Sequence, residues 1–313
     1  MPQAFYSAGA HPPARELTST TLAKQILTRY WPLHERALVE RNLPALAALS
    51  AGPAREWEQA SVSCGCLTVP KARPLLTASY FVPHQRRYPA RFIVEAQTID
   101  RGAYWAELLV FTKPATGQPW RVTQDSGFGP PPGQQPHLGQ APVDANGYDQ
   151  PVSPTQHRRA LTVAAELAAV WQRAKDQGTV PATSPFDITG QTATRLDVIA
   201  AHRQDGVQAN GLRGHYLFYV SPRDALVEVA DSKGYDLACQ PIRETVVYTP
   251  TPGSAAVQDP ERHNWGPGVA PGAYSKIVNT DVWPTCFLIA PEAWTPIGVF
   301  DQDVGGATSA AYH

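Results

Sequence analysis

Three sets of residues in this chain have types and spacings that can do chemistry. The first is its four cysteines: Cys64 and Cys66, separated by one glycine, and Cys239 and Cys286, each alone. Four cysteines allow three complete pairings. In an oxidising compartment the preferred bridge is Cys239–Cys286, both in the C-terminal part. Closing that loop of about 47 residues is worth roughly 4 kcal/mol in the chain-entropy description. A Cys64–Cys66 bridge is tight, strained and easier to reduce. Four ordinary cysteines, some of them buried, are the alternative. Neither CxxC nor HxxxH accompanies the CxC, so no metal site is expected.

The second set is basic. No acidic residue occurs between Glu58 and Glu95, a run of 36 positions that holds Lys71, Arg73, Arg86, Arg87 and Arg91 together with His84. The planar guanidinium matches phosphate and carboxylate geometry, so such a cluster can hold an anionic partner. Acidic lipid head groups, a phosphate-rich polymer or the chain's own acidic second half all fit; a solvated strand face and loop is the plain alternative.

The third set is polar residues on segments that would enclose a cavity: Tyr30, His34, Glu95, Tyr104, Glu107 and Asp125. A carboxylate becomes an acid or base of use near neutral pH only when burial or a partner shifts its pKa. Glu95 alternates with Phe92 and Val94, which makes one face of its strand polar and assigns that face to solvent. Cys286 with His215 or His263 makes a conceivable dyad, but chance proximity among four Cys and nine His accounts for it better. Gly-x-Ser-x-Gly is absent, as is a phosphate-binding Gly-rich loop with its Lys. No catalytic residue and no cofactor are assigned.

The elements that must position these groups are legible. Leu22, Ile26, Tyr30, Leu33 and Ala37 recur at helical steps, Thr18, Ser19 or Thr20 can cap the helix, and Pro32 predicts a kink. A short helix after Asn42 has Pro44 near its first turn and Gly52 past its end, and Pro53–Ala60 suits a third. Strands are predicted at Ser61–Val69, Thr77–Val82, Arg91–Ile99, Tyr104–Lys113 and Trp120–Thr123, with hairpin turns at Asp100-Arg101-Gly102 and Pro114–Pro119. Residues 129–154 hold eleven Pro or Gly in 26 and only two charges, Asp144 and Asp149. Pro cannot sit inside a helix or central strand, so this stretch reads as an interdomain connection, a long surface loop being the alternative. Beyond it, Thr155–Gln177 and Gln191–Arg203 are predicted helices, followed by strands at Gly214–Val220, Leu226–Ala230, Ile242–Tyr248, Tyr274–Val278, Cys286–Ile289 and Ile297–Phe300. A second Pro/Gly-rich stretch, Pro250–Gly272, reads as a loop. Helices followed by an antiparallel meander make an α+β fold.

The division is therefore 1–128 (with 1–17 flexible), 129–154 and 155–313. The net charge of −1 over 313 residues hides an asymmetry across it. Residues 1–128 carry 14 basic and 9 acidic side chains, and residues 129–313 carry 12 and 18. Composition excludes collagen, coiled coil and bulk disorder. No run of about 18 apolar residues spans a membrane, and Met1–Thr20 lacks the basic and apolar regions of a signal peptide. Nucleic acid is not the expected partner: the balance is near neutral and no recognition motif appears.

Residues 88–122 read YPARFIVEAQTIDRGAYWAELLVFTKPATGQPWRV, preceded by TRYWPLHERALVERNLPAL at 28–46. Tyr-Pro, Arg-Phe, an apolar strand ending Leu-Val-Phe-Thr-Lys, and then Pro-Trp-Arg-Val resemble a family of uncharacterised actinobacterial extracytoplasmic proteins with an NTF2-like domain, usually anchored by an N-terminal membrane segment. The resemblance covers about residues 20–150 and brings no catalytic residue with it. It implies an NTF2-like cone, helices on a curved antiparallel sheet, followed by a second α+β domain. Together with the absence of a catalytic motif and the charge split, it points to a non-catalytic binding or scaffolding module outside the cytoplasmic membrane; a protein, or an anionic surface held by the basic stretch, is the expected partner. The alternatives are a hydrolase- or isomerase-type enzyme using the cone's cavity, and a cytoplasmic protein whose halves clamp by opposite charge.

Overall fold

The computed structural model describes residues 16–63, 69, 71–100, 102–128, 143–179, 212–230, 236–250, 257–258, 273–274, 276–289, 294–299 and 305–311. Cys64, Cys66, the predicted helix Gln191–Arg203 and residues 129–142 of the connection lie outside the described residues.

Three helices open the chain: α1 (Thr20–Val39), α2 (Leu43–Leu49) and α3 (Gly52–Ser63). The Ser19 hydroxyl caps α1 by accepting from the Leu22 amide at 3.2 Å, and the Asn42 side chain caps α2 through the Ala45 amide. Each cap satisfies an amide that would otherwise lack a partner, worth about 1 kcal/mol. Pro32 lies inside α1. The buried face of α1 is Ala23, Leu27, Tyr30, Trp31, His34, Glu35, Ala37 and Leu38, while Leu33 is 49% exposed. It is rotated from the face that apolar residues alone predict, because His34 and Glu35 point inward. The predicted strand at 61–69 is corrected at its start: Ser61–Ser63 complete α3, where Ala60, Ser61 and Val62 continue the buried side begun by Trp57 and Glu58.

Four strands follow, β1 (Leu75–Phe81), β2 (Ala90–Asp100), β3 (Ala103–Lys113) and β4 (Arg121–Phe128). They form an antiparallel sheet in the order β1-β2-β3-β4. Alternation assigns its two faces. Phe92, Val94, Ala96, Leu109, Phe111 and Val122 pack under α1 with Leu27, Tyr30 and Trp31. Ile93, Leu108 and Val110 point the other way. The end of the connection is strapped to this unit. His84 stacks on Tyr148 with ring centroids 4.3 Å apart and bonds Asp144 at 2.9 Å, while the Tyr148 hydroxyl donates to the Thr18 carbonyl.

The long helix α4 (Pro154–Gln177) starts at a reciprocal cap between Ser153 and Gln156 and stops at Gly178, whose φ of 70° is the left-handed conformation glycine adopts without strain. The remaining strands are β5 (Leu212–Tyr219), β6 (Val227–Ala230), β7 (Asp236–Cys239), β8 (Ile242–Pro250), β9 (Val257–Gln258), β10 (Ala273–Tyr274), β11 (Lys276–Trp283), β12 (Thr285–Ile289), β13 (Trp294–Val299) and β14 (Gly305–Ala311). They make two four-stranded antiparallel sheets, β14-β11-β8-β5 and β13-β12-β7-β6, and a two-stranded ribbon of β9 and β10. Trp171 of α4 is fully buried against Phe218 and Trp283, and burying one side chain of that kind stabilises the fold by roughly 3 kcal/mol. The protein is thus mixed α+β, with helices on antiparallel sheets.

Cys239 and Cys286 sit directly opposite one another on β7 and β12 and form a disulfide. They share a core with Phe81, Ile93 and Leu108, so the lower face of the first sheet packs on the β6-β7-β12-β13 sheet. This corrects the reading of the Glu95 face as a solvent face. Glu95 is 0% exposed, accepting a 3.5 Å hydrogen bond from the Gln97 amide group, because the second half covers it.

Asp236, at the start of β7, is fully buried, and neither of its carboxylate oxygens has a hydrogen-bond partner among the described residues. Burial, and then the Glu228 charge, push its pKa from 3.8 up to about 8. Glu228 is itself bonded to His157 of α4. Between pH 3.8 and about 8 the folded state holds a proton that the unfolded chain has released, so stability falls as pH rises through that window. Asp236→Asn, neutral at every pH, is expected to match the parent in urea denaturation at pH 4 and to exceed it at pH 8.5. A gap that does not widen with pH would refute a neutral buried acid.

Candidate functional site

The interior between α1, α3 and the first sheet is charged. One turn of α1 separates Tyr30 from His34, whose rings stack at 4.9 Å, and Glu35 follows. From α3 comes Glu58, from the segment before β1 comes Arg73, and from the upper face of the sheet come Glu107 on β3 and Asp125 on β4. The last two lie on diagonal positions of paired strands, since Glu107 pairs with Gly127 and Leu109 with Asp125.

Arg73 organises the cluster. Its Nη2 donates to Glu35 Oε1 at 2.6 Å and its Nε to Glu35 Oε2 at 3.0 Å, a two-pronged pair. Its Nη1 donates to Glu107 Oε1 at 2.5 Å. The Arg73 backbone amide also donates to Glu35 Oε2 at 2.7 Å, and the Trp31 indole donates to the Arg73 carbonyl at 3.0 Å. His34 Nε2 lies 2.8 Å from Glu58 Oε1, which also accepts from the Ser50 hydroxyl at 2.8 Å. Five polar atoms here are buried without a hydrogen-bond partner: the Tyr30 hydroxyl, His34 Nδ1, Glu58 Oε2, Glu107 Oε2 and Asp125 Oδ1.

Electrostatics follow from burial among carboxylates. Burial, and then the charges of Glu107 and Glu58, push the Asp125 pKa well above its usual range and favour the protonated acid. Burial, then Glu58, also raises Tyr30 far up, so its phenol keeps its proton. For His34 burial opposes the charge, but the Glu58 hydrogen bond and charge outweigh it and the pKa rises. Arg73 is likewise raised: burial works against it, and Glu107 and Glu35 hold the charge in place.

Four of the six pocket residues read from sequence, Tyr30, His34, Glu107 and Asp125, therefore converge. Glu95 faces the opposite side of the sheet, and Tyr104 lies at the start of β3, 38% exposed. The cluster also contains Ser50, Glu35, Glu58 and Arg73, which were not read as pocket residues. For Glu35 the signal was its place beside His34, four residues beyond inward-facing Trp31. The five basic residues are dispersed. Arg73 is inside the first half, its side chain 14% exposed. Lys71 precedes β1, while Arg86 and the exposed Arg87 lie beyond its far end, Arg86 pairing with Glu16 at 2.9 Å. Arg91 is half-buried on the lower face of the sheet. Among the described residues no three His, Cys, Asp or Glu are placed to hold a metal ion.

The second feature is open. A cleft of about 570 Å³ lies between the lower face of the first sheet and the second half, within the size range of small-molecule sites. Arg91, Thr112 and Thr123 form one wall, and Tyr219, Ser221 and Arg223 contribute to the other. Arg243 crosses between them, bonding Asp224 at 2.6 and 3.0 Å and Glu56 of α3 at 2.8 and 3.4 Å.

Fold and site together define a mixed α+β protein with a closed ionic interior and an open polar cleft. More particularly, the chain belongs to the family described as Domain of unknown function (DUF8094), whose signature matches residues 14–221. That match takes in α1–α4, the first sheet and β5. No curated protein and no solved structure matches the chain.

Proposed function

We propose that the protein is a non-catalytic binding or scaffolding module, the extracytoplasmic portion of a membrane-anchored protein, with an NTF2-like first domain joined through residues 129–154 to a second α+β domain. One observation carries the non-catalytic part. The acids and bases of the interior are spent on each other: Arg73 by Glu35 and Glu107, His34 by Glu58. The carboxylates and the imidazole are almost wholly closed to solvent, whereas a catalytic group must reach its substrate. The Cys239–Cys286 disulfide supports an oxidising compartment. Among the described residues no helix is long and apolar enough to cross a membrane, which is compatible with a domain outside the bilayer.

A second reading, a hydrolase- or isomerase-type enzyme, is favoured by the unpartnered Tyr30 hydroxyl, Glu107 Oε2 and Asp125 Oδ1. These atoms would present a protonated acid and a phenol to a small polar molecule.

One substitution separates the two readings. Asp125→Asn keeps the shape and neutrality of the protonated acid, so it is expected to fold with an unchanged melting temperature. Neither protein is expected to turn over a panel of chromogenic esters, amides, phosphomonoesters and glycosides. Turnover by the parent that Asp125→Asn abolishes would overturn the module reading and establish the enzyme.

A further inference from the structure

The cleft contains more positive charge than its own acids can balance. Glu56 and Asp224 are its acidic lining residues, and Arg243 occupies both. Arg91 and Arg223 remain. Neither side chain makes a hydrogen bond or ion pair with another described residue. Arg223 is exposed at the rim, whereas Arg91 is half-buried on the wall. Strand register places Arg91 opposite Thr112, and Thr112 opposite Arg121. The Arg121 Nε is likewise buried without a partner. Two guanidiniums therefore flank one threonine along a single cross-strand row.

A partly desolvated guanidinium with no counter-charge is costly, and the cost is offset when a ligand supplies the charge. We infer that the cleft binds a small organic anion, its carboxylate or phosphate group paired with Arg91. The inference rests on the binding-module reading and names the ligand class. Burial alone depresses the Arg91 pKa, with no acid opposing it. Tyr219, which lines the same cleft, supplies aromatic surface for the rest of such a molecule, and the volume exceeds what an inorganic ion needs.

The test is calorimetric titration of the full chain in low-salt, phosphate-free buffer with benzoate, phenyl phosphate and neutral benzamide. Benzoate, phenyl phosphate or both are expected to bind, and benzamide at least tenfold more weakly. The ratio of the two anions tells carboxylate from phosphate. Arg91→Gln is expected to weaken the anions at least tenfold, Arg91→Lys less, and Arg87→Gln, exposed and outside the cleft, not at all. Ala225→Trp narrows the rim without changing charge and is expected to weaken every probe, which keeps the test intact should Arg91→Gln fold poorly. Benzamide binding as tightly as benzoate, with both lost in Ala225→Trp, would overturn the anion inference and leave the module reading standing. Failure of both anions to bind, or equal binding by Arg91→Gln, would also overturn it. The chromogenic panel judges the module reading separately.

Discussion

Arg73→Met is expected to destabilise the protein by about 3–5 kcal/mol, the usual consequence of removing one partner from a buried ion pair. The variant leaves Glu35 and Glu107 in place with no cation between them. Glu35 loses both prongs of its pair and keeps the backbone amide of residue 73 and the His34 Nδ1 at 4.0 Å; Glu107 loses its 2.5 Å partner. Asp125, itself an acid, cannot supply the missing cation. Guanidinium denaturation at pH 7 reads the loss. Adding Glu35→Gln and Glu107→Gln is expected to restore much of the loss at pH 7, because the uncompensated charges go with them. A loss below 1 kcal/mol at pH 7, or no recovery in the triple variant, would show that the pairs contribute little.

The same residue shows where sequence reasoning stops. Arg73 stands in a run of five basic residues that, in sequence, makes an anion patch. Its partners lie 38 and 34 positions away, and nothing local marks an inward arginine. The sheet was legible because alternation and turn residues are local: β2 and β3 start and stop within a residue or two of the predicted bounds. The first helix was legible in extent but not in orientation, since an apolar count cannot see that His34 and Glu35 face the core. The first half's interior was half legible, Tyr30, His34, Glu107 and Asp125 being polar residues on elements that had to face one another. Its anchors Ser50 and Glu58 were not, being ordinary polar residues, one just past the end of α2 and one on α3. The cleft was illegible for a stronger reason: its walls come from residues near 52, 91, 112, 123, 220 and 243, and only the folded chain brings them together.

Removing the Cys239–Cys286 bridge, by reduction or by a paired change to alanine, is expected to cost about 4 kcal/mol, the chain-entropy value for a loop of this length. The cysteines are 47 residues apart, and the loop they close contains β8, β9, β10 and β11. In the unfolded chain the bridge forbids most arrangements of that segment. In the folded chain it joins positions that β7 and β12 already hold opposite one another. The stabilisation therefore acts mainly through the unfolded state, and the strand pairing itself is expected to survive. Both sulfurs lie in the core beneath the first sheet, and the Gln124 amide group bonds the Thr285 carbonyl beside them at 2.6 Å. Alanines there also leave a small apolar void, so the variant should lose slightly more than the reduced protein. Denaturation midpoints with and without reductant, with thiol content assayed at each point, measure the difference. A shift near the expected size would make persistence of the fold depend on an oxidising environment, in line with an extracytoplasmic site of action. A shift under 1 kcal/mol would mean that packing alone holds β7 against β12, and the disulfide would then carry no weight in assigning a compartment.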